Sequence, residues 1–323
     1  MNTISDMNGI KRVAVLGLGT MGHGIAQTFA LAGYDVSCFD ESASMRDSLI
    51  ERVRTNLTAF VAADLVTPEQ VEPALARLQP VGTESEAAAD AQFVTEAVPE
   101  DLEVKQKLFE RLEQIVSPLT ILASNSSSFP ISQSSSLMKH PERALVTHWF
   151  NPPHLTPVVE VVPAPRTGED TVRTTLHLLQ RIGKRPIRLR RELAGFLVNR
   201  VQVAIQREAW DLVDQGVASP EEIDAAIRGT IGFRFAALGP LEIHDFAGLD
   251  IQLTTFNNLV PEIRSDTKPP AVIEQLTAAG RLGVKSGQGF YDYPTERLIA
   301  RTSRRDSLLL KLWKLLYSED SEG

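Results

Sequence analysis

The chain of 323 residues is short of the features that mark secreted, disulfide-built and membrane proteins. It has one cysteine, Cys38, so no internal disulfide can form and an oxidising compartment offers it nothing. No apolar run approaches the roughly 20 residues that cross a bilayer, which argues against a membrane protein. Residues 1–12 lack the apolar core of a secretory leader, and a cytoplasmic location is the expectation. Positive charge is outnumbered, 33 Lys and Arg against 41 Asp and Glu, for a net charge of −8. Such a field repels polyanions, so nucleic acid is not an expected partner. One basic stretch, Lys184, Arg185, Arg188, Arg190 and Arg191, runs against that balance. Alternation puts Arg188 and Arg190 on one strand face, and no aromatic residues interleave with the charges, so the stretch reads as a charged edge strand.

What is present is an ordinary globular composition, 43% hydrophobic and 23% charged, in a chain long enough for two domains. Residues 13–16 form a short apolar run that leads into glycines and a small-residue helical stretch over about 20–32, with Gly33 just past its end. A second strand over 35–39 ends at Asp40, and a long helical pattern follows through Leu49, Val53, Leu57 and Phe60. Strand candidates at 93–98, 120–123, 144–149, 158–162 and 186–189 alternate with helical stretches at 102–115 and 171–182. That alternation predicts a largely parallel sheet. From Gly195 the texture changes to helix, first over 196–215, with no convincing strand after it. Ser219-Pro220-Glu221-Glu222 has the N-cap, first-turn proline and first-turn carboxylates of another helix start. Leu308, Leu309, Leu312, Leu315 and Leu316 among Arg and Lys make 301–317 a basic amphipathic helix. It reads as docking on the body or a second subunit rather than on a membrane. The expected fold is α/β: a Rossmann-type, mainly parallel sheet domain over 1–192, a smaller all-α domain over 193–294, and a helical extension over 295–323.

Gly17-Leu18-Gly19-Thr20-Met21-Gly22 carries the dinucleotide fingerprint in its proper context, after a strand and opening a helix. Its first glycine permits the turn, its second lets a pyrophosphate approach the backbone, and its third lets helix and strand pack closely. Asp40 lies eighteen residues past Gly22, at the end of the second strand. There it can accept hydrogen bonds from a ribose 2′-hydroxyl and repel a 2′-phosphate, which favours NAD over NADP. His148-Trp149-Phe150-Asn151-Pro152-Pro153 precedes Glu160 in a β-patterned segment. Imidazole titrates near neutrality and suits removal of a hydroxyl proton as hydride leaves the same carbon; a carboxylate on its other nitrogen fixes the tautomer. The twelve-residue spacing, with prolines between, lets the chain return so that Glu160 faces His148. No metal site is expected.

The fingerprint, Glu96-Ala97-Val98-Pro99-Glu100, Ser124-Asn125-Ser126-Ser127, His148-Trp149-Phe150-Asn151-Pro152, Val159-Glu160-Val161-Val162, Gly195-Phe196-Leu197-Val198-Asn199-Arg200 and Gly287-Gln288-Gly289-Phe290-Tyr291 occur in this order. Together they resemble the motifs of the 3-hydroxyacyl-CoA dehydrogenase family from about residue 10 to 293. The resemblance implies that His148 is the catalytic base, Glu160 its orienting partner, and Ser127 and Asn199 hydrogen-bond donors near the reacting oxygen. It implies that Asp40 holds the adenosine ribose, that Glu100 and Lys105 line the nicotinamide side, and that the protein is a homodimer built through the helical domain.

Two departures bear on the substrate. Members acting on CoA esters carry lysines in the helices after the second strand, whereas 55–66 here has neither Lys nor Arg. Their short Gly-x-x-x-Gly-Pro turn is replaced by the longer 232–240 segment, which brings Arg234, a residue able to pair with a carboxylate. Both departures resemble relatives that act on small free acids: gulonate dehydrogenase with lambda-crystallin, carnitine dehydrogenase, and dehydrogenases of hydroxymethyl-pyridine carboxylates. A small hydroxy acid is the expected substrate, with a short-chain acyl-CoA as the alternative. Two competing readings stay open. One is the beta-hydroxyacid dehydrogenases, which share the glycine fingerprint but need a lysine that 195–210 lacks; the other is a binding protein that kept the fold without the chemistry.

Overall fold

The structure is a computed structural model and describes residues 9–317. The expectation about a leader therefore falls, for residues 1–8, outside the described residues.

Eight strands form one sheet: β1 (Arg12–Leu16), β2 (Asp35–Phe39), β3 (Leu78–Pro80), β4 (Phe93–Glu96), β5 (Ile121–Ser124), β6 (Ala144–Trp149), β7 (Val158–Pro163) and β8 (Arg185–Arg188). Their order is β3-β2-β1-β4-β5-β6-β7-β8. Every pairing is parallel except β6 with β7, which run antiparallel with His148 directly opposite Glu160. The expected Rossmann-type sheet is the observed one.

Side chains alternate across the sheet and feed two apolar layers. Val13 and Val15 join Ile25 and Phe29 of the helix Gly22–Leu31 on one face. Ala14 and Leu16 join Leu108, Phe109 and Leu112 of the helix Leu102–Ile115 on the other. With both faces covered, β1 is buried from Val13 to Leu16, which explains its uninterrupted apolar run. β8 closes the sheet as an edge, and Arg188 forks onto Glu169 at 2.6 and 2.8 Å, in keeping with a charged edge.

The described residues divide into two compact units: the first is 9–199 together with Leu309–Trp313, the second Arg200–Leu308 together with 314–317. The second unit is helical. Ser219 caps Pro220–Ile227 through the reciprocal pair with Glu222, as its sequence foretold. The segment around Arg234, expected as a loop, is helical instead: a π-helical turn Arg228–Gly232 runs directly into Phe233–Phe235. The extra residues there extend a helix in spite of Gly229 and Gly232, each unfavourable in a helix interior, and the chain breaks only at Gly239-Pro240, where the next helix, Pro240–Ala247, begins. The last helix spans Thr295–Tyr317 and begins earlier than its leucine pattern suggests.

Candidate active site

The glycine turn fits a pyrophosphate. Gly17 has φ +90°, and a Cβ there would stand 2.5 Å from the Ala97 carbonyl oxygen. At Gly22 a Cβ would come within 1.7 Å of the Gly17 oxygen, so the helix can start this close to the strand only without a side chain. Gly19 faces open space, and among the described residues the N–H groups of Gly19, Thr20 and Met21 donate to no acceptor. Unsatisfied donors at a helix start are an anion site. Asp40 is fixed at the end of β2 by N–H groups from Leu18 at 2.7 Å and Ser42 at 2.8 Å. These residues suit a dinucleotide whose ribose hydroxyls meet Asp40.

A buried charge cluster lies at the ends of β4 and β5. Lys105, only 1% exposed, donates to Glu96 at 2.6 Å and stands 3.2 Å from Glu100. Glu96 also accepts from the Ser124 hydroxyl at 2.6 Å and the Val98 N–H at 2.9 Å. One oxygen of Glu100 gathers the hydroxyls of Ser126 and Ser128, each at 2.7 Å, and the N–H groups of Ser127 and Ser128, each at 3.0 Å. Burial alone would raise the Glu100 pKa, but the serine hydrogen bonds and the Lys105 charge outweigh it and hold the carboxylate at about 2. Glu96 escaped the sequence reading. The available signal was a charge at the end of the otherwise apolar run Phe93-Val94-Thr95, because a charge in a buried strand demands a partner.

The His148–Glu160 pair is formed. His148 Nδ1 and Glu160 Oε2 are 2.7 Å apart across the antiparallel ladder, and both side chains are buried. The other carboxylate oxygen accepts the N–H groups of Leu197 at 3.0 Å and Val198 at 2.8 Å, which open the helix Val198–Asp214. A carboxylate at a helix N-terminus is favoured by the dipole, and each such charge-assisted bond contributes about 1.5–3 kcal/mol. Phe150 and Phe196 pack on the imidazole with ring centroids at 4.4 and 5.4 Å. Phe196 is fully buried at φ +50°, directly after Gly195 at φ +74°. Two consecutive left-handed residues turn the chain so that 197–199 reach the sheet; the Gly-Phe pair was visible in the sequence, but its role was not.

Asn199 donates to the Ser127 carbonyl at 3.2 Å, so four of the expected residues, Ser127, His148, Glu160 and Asn199, fall in one hydrogen-bonded neighbourhood that Glu100 and Lys105 extend. Arg234 lies in the other unit, exposed, with Nε 3.4 Å from the Thr230 carbonyl.

The sheet order, glycine turn and Asp40 together define a dinucleotide-binding protein of the Rossmann class. The family description "3-hydroxyacyl-CoA dehydrogenase, NAD binding domain" matches residues 12–193, and "3-hydroxyacyl-CoA dehydrogenase, C-terminal domain" matches 195–293. The chain belongs to the 3-hydroxyacyl-CoA dehydrogenase family of NAD-dependent dehydrogenases. It is 33% identical over 313 residues to the 5-formyl-3-hydroxy-2-methylpyridine 4-carboxylate 5-dehydrogenase of Mesorhizobium japonicum, covering 95% of this chain and 98% of that one. It is 34% identical over 285 residues to a probable 3-hydroxybutyryl-CoA dehydrogenase of Bacillus subtilis, covering 88% and 98%. The crystal structure of a 5-formyl-3-hydroxy-2-methylpyridine 4-carboxylic acid 5-dehydrogenase, described as an NAD+-dependent dismutase, superposes with a TM-score of 0.89 at 31% identity over 95% of this chain and 98% of that one. A match over 95% of the chain cannot stop at residue 293, so it runs into the last helix, which lies beyond both family descriptions.

Proposed function

We propose that the protein oxidises a small hydroxy acid with NAD, and reduces the matching carbonyl compound in reverse, using His148 as general base and acid. The observation that carries this is the 2.7 Å bond between His148 Nδ1 and Glu160. An ionised carboxylate on Nδ1 keeps the proton there and leaves Nε2 with a free lone pair, the form that takes a hydroxyl proton. As the imidazole becomes charged, Glu160 stabilises it, held in turn by Leu197 and Val198. Ser127 and Asn199 supply donors beside the reacting oxygen, and bound NAD supplies the hydride acceptor. Gly17, Gly19, Thr20, Met21 and Gly22 seat the cofactor's pyrophosphate, Asp40 its adenosine ribose, and Glu100 with Lys105 its nicotinamide end.

A free acid is favoured over a CoA ester by the lysine-poor stretch 55–66 and by the relative named for a pyridine carboxylate, whose match extends past residue 293. In this reading Arg234 pairs with the substrate carboxylate; among the described residues its two Nη groups make no hydrogen bond. NADH-linked rates on acetoacetyl-CoA, gulonate, carnitine and hydroxymethyl-aryl carboxylates, with His148→Gln as control, test the assignment. Ordinary turnover of acetoacetyl-CoA that is insensitive to Arg234→Ala would return the substrate to the acyl-CoA class. Inert wild type that still binds NAD would leave only a binding role.

We also infer a homodimer. Between residues 200 and 308 only Ile223 and Ile243 are buried among the large hydrophobics, while Phe233, Leu241, Phe246 and Phe256 are 62–82% exposed. A helical unit with so little core of its own needs a partner surface, and the symmetric solution is a second copy. Light scattering should give twice the chain mass. The single thiol, Cys38, is buried and pushed up to about 12 by that burial, consistent with a cytoplasmic setting.

A further inference from the structure

A cavity of about 290 Å³ lies in the first unit, with Phe60, Leu155, Ile182, Leu310 and Trp313 in its walls and Lys184 among its lining residues. His148 is not part of it. Lys184 sits between the helix Glu169–Arg181 and β8 and is 6% exposed. Its ammonium donates to the carbonyls of Pro153 at 2.7 Å and Thr156 at 2.8 Å and stands 5.3 Å over the Trp149 ring. These partners satisfy two of three N–H donors but bring no negative charge; among the described residues no carboxylate pairs with Lys184. The other titratable groups in the walls, His154 and Arg181, are bases, and among the described residues no Asp or Glu lines the cavity. Burial pushes the Lys184 pKa down to about 7, the mark of a cation short of a counter-ion.

We infer that this cavity binds a small amphipathic carboxylate, with the carboxylate on the Lys184 ammonium and the hydrocarbon body against Phe60, Ile182, Leu310 and Trp313. Three features select that class. Lys184 lines the cavity with one of its three N–H donors unpartnered among the described residues, and a carboxylate that reaches that donor removes the cost of a buried cation by a charge-assisted hydrogen bond. The remaining walls are mostly apolar, so they reward hydrocarbon and give a sugar little to bond, while His154 and Arg181 among them add to the attraction for an anion. The volume lies at the small end of ligand pockets, roughly 300–1,000 Å³, so the body is short. Because Lys184 also holds the loop that leads from His148 round to Glu160, an occupant touches the same loop that spaces the catalytic pair.

The inference does not depend on the catalytic reading, because its test is binding to the full-length protein. Calorimetric titration with octanoate should show saturable binding at one site per chain, and octanol, matched in length but uncharged, should bind at least tenfold more weakly. Lys184→Met should weaken octanoate at least tenfold, while His148→Gln leaves it unchanged. Should Lys184→Met fail to fold, Ala32→Trp serves: Ala32 is an exposed lining residue, and an indole there should occlude the site. Absence of binding at millimolar octanoate, equal binding of octanol, binding that survives Ala32→Trp, or loss with His148→Gln would each overturn the inference.

Discussion

Replacing Glu160 by glutamine should silence the dehydrogenase while leaving the fold and cofactor site in place. The substitution is nearly isosteric, yet the amide cannot take either orientation freely. Leu197 and Val198 aim two N–H groups at one terminal oxygen of residue 160, at 3.0 and 2.8 Å, so the amide oxygen must stay on that side. The amide NH2 then faces His148 Nδ1, where the carboxylate stood at 2.7 Å. A donor there requires Nδ1 to be the acceptor, which moves the ring proton to Nε2, the nitrogen that has to take the hydroxyl proton. The base is thus held in the wrong tautomer, and the new charge on the imidazolium loses its counter-ion. General-base assistance contributes about 10²–10⁴ in rate and a tautomer-reversing substitution costs at the top of that range, so kcat should fall by about 10³–10⁴. Three charge-assisted hydrogen bonds, from His148, Leu197 and Val198, become neutral, a loss of about 1 kcal/mol each, which a domain of ordinary stability survives folded. Stopped-flow NADH formation gives kcat, and quenching of NADH fluorescence gives the cofactor Kd, which should change by less than about threefold. A kcat within about threefold of wild type, with normal cofactor binding, would refute the orientation argument and with it the role of His148.

Three further outcomes follow from distances. A Cβ at Gly24 would stand 2.7 Å from His154 Nδ1 and 2.8 Å from Pro153 Cγ, so Gly24→Ala should push the loop off the dinucleotide helix. Thermal unfolding should show a loss of about 1–3 kcal/mol, and an unchanged midpoint would mean that the loop yields freely. Leu18 and Ser42 donate to different oxygens of Asp40, so Asp40→Asn keeps an acceptor for only one of them while removing the charge that opposes a 2′-phosphate; the NAD-to-NADP ratio of kcat/KM should fall at least tenfold, and an unchanged ratio would remove Asp40 from cofactor choice. Glu100 is held at about 2 against an ordinary 4.5, so it stabilises the fold above about pH 4.5 and loses that contribution as pH falls towards 2. Its side chain is 35% exposed, so solvent screening reduces the roughly 3 kcal/mol of the full shift to roughly 1–2. Urea unfolding of wild type and Glu100→Gln at mildly and strongly acid pH should differ by that amount, and parallel slopes would contradict it.

The parts of the fold and site that were legible in the sequence are those whose cause is local. The glycine turn could be read because its three glycines fall within six residues between a strand and a helix, and Gly22 answers a clash with Gly17 in the same turn. His148 and Glu160 could be paired because one antiparallel return joins them. The three-residue β3 was too short to leave a pattern, and the helix Pro68–Ala76 carries Pro73 inside it, which composition counts against helix although Thr67 and Gln70 cap it well. Glu96 was invisible because its partners Lys105 and Ser124 are brought to it only by the sheet and its crossover helix. That the 301–317 helix docks was legible in its leucine pattern, but that Leu309–Trp313 join the first unit depends on contacts nearly the whole chain apart, which no periodicity encodes.

Glu160 serves two masters at once: it aligns the imidazole, and it receives the opening amides of the helix Val198–Asp214. A chain still emerging from the ribosome, or clipped before residue 197, has the residues of the whole sheet and the glycine turn, but its Glu160 keeps only His148 and lacks the two amides that fix the other oxygen. The alignment of the imidazole thus waits on Leu197 and Val198, near the end of the first unit's long segment, and a change in the 195–199 turn is felt at His148 through one carboxylate.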